Sequence, residues 1–195
     1  MTLNRLLVPA AFLLLLGCSA GKGRPDGRTA GILAGATKVE VFRIDGRNDP
    51  PDPTPIKPGD PTVGGYAILA RGHDQRQEFA AKLRDILTDN KTYTNNFVNC
   101  FWPGVAFRVW KGEDSVDVII CFKCGNFYLG PPTDKRVMET ASFNGSPNTS
   151  RLVQLAKEAF PDDKEVQALE EEECLNMGLL EAEMGAAYFY DYMDI

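Results

Sequence analysis

The segment Val105 to Phe122 constrains the fold more than any other part of the chain. Val105, Phe107 and Val109 recur at every second position, and Val116, Val118, Ile120 and Phe122 do the same beyond Lys111-Gly-Glu-Asp114. A period of two places each set on one face of a strand, so the pattern predicts a β-hairpin with a four-residue turn over 111–114. Pairing Trp110 with Ser115 sets Val109 opposite Val116, Phe107 opposite Val118 and Val105 opposite Ile120. All six then share one face, and a slip of one residue would send them to solvent. The opposite face carries Arg108, Trp110, Asp117, Ile119 and Cys121, with Arg108 facing Asp117 as a cross-strand charge pair.

Around this hairpin the elements follow from shorter patterns. Lys38–Ile44 and Tyr66–Ala70 read as strands. Asp74 caps a helix over 74–89, with Gln77 completing a capping box. Its buried stripe is Phe79, Ala80, Leu83, Ile86 and Leu87. Asn126–Leu129 extends the second hairpin strand, and Val137–Phe143 makes one more, stopped by Asn144-Gly145. Asn148–Ser150 offer caps for a helix over Arg151–Phe160. Asp162 or Asp163 opens another, through Val166, Leu169 and Leu175 towards Met184. Six prolines within the thirteen residues 49–61 exclude helix and central strand there, leaving a surface loop of polyproline character. The order predicts an α+β fold: a mainly antiparallel sheet with a central β-hairpin, and helices packed on one face.

The amino terminus reads as a bacterial lipoprotein signal. Arg5 supplies the positive charge, and Leu6–Leu16 is an apolar run of 11 residues, too short to span a bilayer. Leu15-Leu16-Gly17-Cys18 then matches a lipobox. The expected organisation is a signal peptide over 1–17, a flexible tether over 18–36 and a single globular domain over 37–195. Cys18 would carry the acyl chains, palmitate among them, and anchor the domain to a membrane outside the cytoplasm. A formal charge of −6 argues against nucleic acid, which needs clustered Lys and Arg. It argues equally against docking on anionic lipid by charge. The partners expected are therefore the membrane, through the lipid anchor, and a protein of the envelope. The run Glu170–Glu173 reads as a solvated helix face.

Apart from Cys18, the cysteines are Cys100, Cys121, Cys124 and Cys174. Four cysteines allow three full pairings, and the spacing alone chooses none of them. Cys121-Phe-Lys-Cys124-Gly125 has the form of a zinc knuckle. Zinc held by Cys100, Cys121 and Cys124 would need a fourth ligand, from His73 or Cys174. A disulfide is the leading reading in an oxidising compartment. Running the hairpin register on places Phe101 opposite Cys124 and Cys100 one position away; a Cys100–Cys121 bridge is the neighbouring pairing. A thioredoxin-like role is disfavoured, because strand and turn residues follow the motif where a helix N-terminus is needed.

Catalytic signals are absent. His73, the only histidine, sits between a strand end and a helix start, where a loop residue is the ordinary reading. No P-loop lysine motif and no H-E-x-x-H occurs, and the carboxylates form no recognisable pair. The aromatic residues gather near the hairpin as core, with Trp102 and Trp110 on its less apolar face as an alternative binding platform. The function expected is that of a membrane-tethered, non-enzymatic binding or structural module without a cofactor. The alternatives are a zinc-binding domain and an enzyme of another type.

The stretch from Tyr66 to Cys124 resembles a loosely defined group of lipoproteins of planctomycete-like bacteria. Their shared features are a strand and helix, then Cys-Phe-x-Pro-Gly-Val-Ala-Phe-Arg, then a hairpin ending in Cys-Phe-x-Cys. Here these are Cys100-Phe-Trp-Pro-Gly-Val-Ala-Phe-Arg108 and Cys121-Phe-Lys-Cys124. The resemblance covers about a third of the chain. It implies that the three cysteines belong to one site, and it carries no catalytic role.

Overall fold

The alternating segments become the strands β1 (Lys38–Ile44), β2 (Thr62–Val63), β3 (Tyr66–Arg71), β4 (Val105–Lys111), β5 (Asp114–Cys121), β6 (Asn126–Gly130) and β7 (Glu139–Ser142). They form one antiparallel sheet in the order β2–β3–β1–β4–β5–β6–β7. This computed structural model describes residues 23–25, 27–46, 56–57, 59–73, 76–98, 101–132 and 138–169. Among these described residues four α-helices accompany the sheet: α1 (Gly27–Ala34), α2 (Gln77–Thr88), α3 (Thr149–Ala159) and the single turn α4 (Lys164–Gln167). The fold is α+β, with the sheet curled into a half-barrel.

Burial sets the hairpin register. Val105 pairs with Ile120, Phe107 with Val118 and Val109 with Val116, and Arg108 faces Asp117 on the other side. The turn is shorter than the expected four residues, because Lys111 already pairs with Asp114. Gly112 and Glu113 alone close it, and Gly112 has φ +61° at the first central position, as a type II′ turn requires.

Asn126–Leu129 does not extend β5. The chain reverses through Phe122–Gly125, and β6 pairs back along β5 from Cys121↔Asn126 to Asp117↔Gly130. Gly125, at φ +64°, makes that reversal possible. A Cβ there would lie 2.7 Å from Asn144 Cα, so only glycine fits. The pairing of Phe101 opposite Cys124 required a straight β5 and does not form.

The helices all pack on one face of the sheet. Residues 27–34, read as tether, form α1, and Ile32 and Leu33 join Leu83, Ile86, Phe107 and Val118 in the main core. The helix α2 buries Phe79, Ala80, Leu83, Ile86 and Leu87 but begins at Gln77. Arg76 stands at its N-cap without a side-chain bond, and Asp74 lies outside the described residues. In α3 the buried side chains include Leu152, Leu155, Ala156 and Ala159. Its N-cap residue Asn148 turns away and donates to Asp89 and Thr92 instead, at 3.0 and 2.9 Å. Asp163 caps α4 by accepting from the Glu165 and Val166 amides, each at 3.0 Å. The expected course towards Met184, the Glu170–Glu173 run and most of the proline-rich loop lie outside the described residues. Among those residues no helix is long and apolar enough to cross a membrane.

The second face is the inside of the curl. The turn between β2 and β3 sits three strands from β5 in the sheet, about 14 Å away if the sheet were flat. Yet the Gly64 amide donates to Asp117 on β5 at 2.8 Å. Phe42, Ile44, Val63, Tyr66, Ala106 and Ile119 fill the interior, joined by Val98 and Phe101 from the chain leading into β4. Both faces of β4 and β5 are thus buried.

Candidate functional site

Two of the polar features inside the curl come from β5 and the reversal that follows it. The first is Asp117, which has no solvent exposure. Arg108 grips it with two parallel bonds, Nε to Oδ1 at 2.7 Å and Nη2 to Oδ2 at 2.9 Å. Hydrogen bonding to Asp117 raises the Arg108 pKa further, against the opposing effect of burial. The guanidinium also lies over the Phe42 ring, 5.7 Å from its centre. With the Gly64 amide as third donor, Asp117 is fully engaged, so this pair holds the curl together and offers nothing to a ligand.

The second feature is the cysteine turn. Cys121 ends β5 and Cys124 follows on the reversal, and both are fully buried. Cys124 is disulfide-bonded, whereas Cys121 is a free thiol. Cys18, Cys100 and Cys174 lie outside the described residues. The Cys121 Sγ lies 2.7 Å from Cys124 Sγ. It accepts the Cys124 N–H at 3.2 Å, and the Trp102 and Lys123 amides also bond to it. The Cys-x-x-Cys-Gly reversal thus wraps its own amides around the first sulfur, an arrangement that favours a thiolate. Burial is the stronger effect and pushes the Cys121 thiol up, while the three amides and the Lys123 charge pull it part of the way back.

The remaining sequence candidates are distributed elsewhere. His73 follows β3, and its backbone N–H donates to Ala159 at the end of α3, at 3.1 Å. Among the described residues no three His, Cys, Asp or Glu side chains are grouped to hold a metal ion. Trp110 is engaged within the sheet: its indole N–H donates to Glu40 at 2.8 Å and Lys38 lies over its ring. Trp102, counted with the aromatic core, is 72% exposed. Its backbone reaches inward to Cys121 while its ring faces water.

Arg43 was not singled out by its sequence neighbours. Its Nη1 donates to the Gly104 carbonyl at 2.7 Å and its Nε to Asp163 at 3.2 Å, and it also pairs with Glu165. It ties β1 to the approach of β4 and to α4. Those partners are remote in sequence, so nothing near Arg43 in the chain announces the role. Comparison with known proteins finds no matching family model, no similar curated protein and no similar solved structure.

Proposed function

We propose that this chain is a lipid-anchored lipoprotein of the bacterial cell envelope whose α+β domain works as a binding or structural module. The observation that carries the reading is the disulfide at Cys124, because disulfides persist outside the cytoplasm and are rare within it. The lipobox ending at Cys18 supplies the anchor, and the acidic surface leaves attachment to the acyl chains. The engaged Arg108–Asp117 pair supports a structural over a catalytic use of the curl's interior.

Cys100 is the partner this reading gives to Cys124. Phe101, the next residue, stacks on Tyr128 at 3.7 Å and is buried in the cluster that holds Cys121 and Cys124.

The test is expression of the full chain in a bacterial host, followed by fractionation and mass analysis of the amino terminus. Wild type should begin at an acylated Cys18 and sediment with membranes. The Cys18→Ala variant should lose both acylation and processing. Normal processing and membrane anchoring of that variant would overturn the proposal.

A further inference from the structure

We propose that Cys121 and Cys124 form a thiol–disulfide exchange site, giving the domain two oxidised forms that differ in which cysteine is bonded to Cys124. Exchange requires a thiolate to reach a disulfide sulfur, and here the two are already in contact at 2.7 Å. Both sulfurs are fully buried, so the internal thiol has an access that an external thiol lacks. The reversal that carries them is closed by left-handed Gly125, and the Trp102, Lys123 and Cys124 amides receive the negative charge as it forms.

The step balances without an added oxidant. Cys121 gives up its thiol proton, and its sulfur forms a bond to Cys124 Sγ. The bond between Cys124 and its present partner breaks, and that partner leaves with the electron pair and takes up a proton. One disulfide and one thiol stand on each side. The step does not depend on which cysteine now holds Cys124, nor on the anchoring of the chain. Burial holds Cys121 mostly protonated at neutral pH, and Lys123 is the charged side chain acting on it. The rate should therefore climb about tenfold per pH unit until the thiol ionises.

The test uses the full chain, held for a day at pH 7, 8 or 9, acid-quenched, and alkylated in denaturant at mildly acid pH. Trypsin cuts after Lys123, so a Cys121–Cys124 bond appears as a cross-link between the peptides Gly112–Lys123 and Cys124–Lys135. That cross-link should accumulate as Cys121 loses its alkyl label and another cysteine gains one. It should do so sooner at higher pH, towards a common plateau. The Cys121→Ser variant should keep a single pairing throughout. Two results would overturn the proposal: Cys121 remaining the labelled cysteine in wild type after a day at pH 9, or release of the Cys124 partner in Cys121→Ser. The wild-type measurement decides the matter even if the variant does not fold.

Discussion

Asp117 receives three donors, and no water reaches it. The energy of such a group lies less in the bonds made than in the cost of leaving them unmade. Removing Arg108 alone strands a buried carboxylate, which costs about 3–5 kcal/mol. Removing the charge as well cancels most of that loss. We expect Arg108→Met to lower unfolding stability by about that amount. Arg108→Met combined with Asp117→Asn should recover more than half of it, because the asparagine oxygen still accepts from Gly64. Urea denaturation of the disulfide-intact protein measures both, and additive losses would show that the two side chains act independently. The pair itself could be read from the alternation of β4 and β5, since residues opposite each other on one face must meet. The third donor could not, because Gly64 reaches Asp117 only through the curl. Cys121 is similar: its position on β5 was legible, while the amide from Trp102 depends on how the preceding chain crosses the second face.

At the scale of elements, the hairpin shows why register was legible and turn length was not. Six apolar side chains on one face leave a single pairing that buries them all. The number of residues in the turn follows instead from whether Gly112 adopts positive φ, a local property that the apolar pattern does not report. The same limit applies at Gly125, where the expected strand extension became a reversal. Two variants of β4–β5 separate burial from turn geometry. Phe107 is fully buried and its ring centre lies 6.2 Å from that of Phe79, so Phe107→Asp puts a charge in the main core. It should cost several kcal/mol and leave the domain unfolded or barely folded at room temperature. Gly112→Ala meets nothing within 4 Å and bears only the backbone penalty of a non-glycine residue at that turn position, about 1–3 kcal/mol. Thermal melts of the two should differ widely, and equal melting temperatures would contradict this account of the hairpin.

At the scale of the whole molecule, the question is where the domain begins. Residues 19–36 look like a linker because Gly, Ala, Lys and Arg dominate and the apolar residues are few. One turn of helix nevertheless brings Ile32 and Leu33 to the same side, and the helix-bearing face of the sheet has room for them beside α2. Ile32 is 4% exposed and Leu33 is 1% exposed. A short helix of this kind has too weak a pattern to stand out by itself, and it becomes visible only once the surface that covers it is known. At the hairpin tip, α1 adds an Arg28–Asp114 ion pair and a bond from Lys111 to the Gly31 carbonyl at 3.2 Å. Both are exposed and contribute little. The apolar pair dominates: burying each of Ile32 and Leu33 is worth about 1.5–3 kcal/mol. A chain starting at residue 37 should therefore be about 3–6 kcal/mol less stable than one starting at residue 19, a large share of the total for a domain of this size. A chain starting at residue 27 should match the longer one. If urea midpoints of all three coincide, α1 adds nothing to the core and the tether extends to residue 36. If only the shortest is weakened, the folded domain includes α1, and the spacer to the proposed anchor shortens to the residues between Cys18 and Gly27.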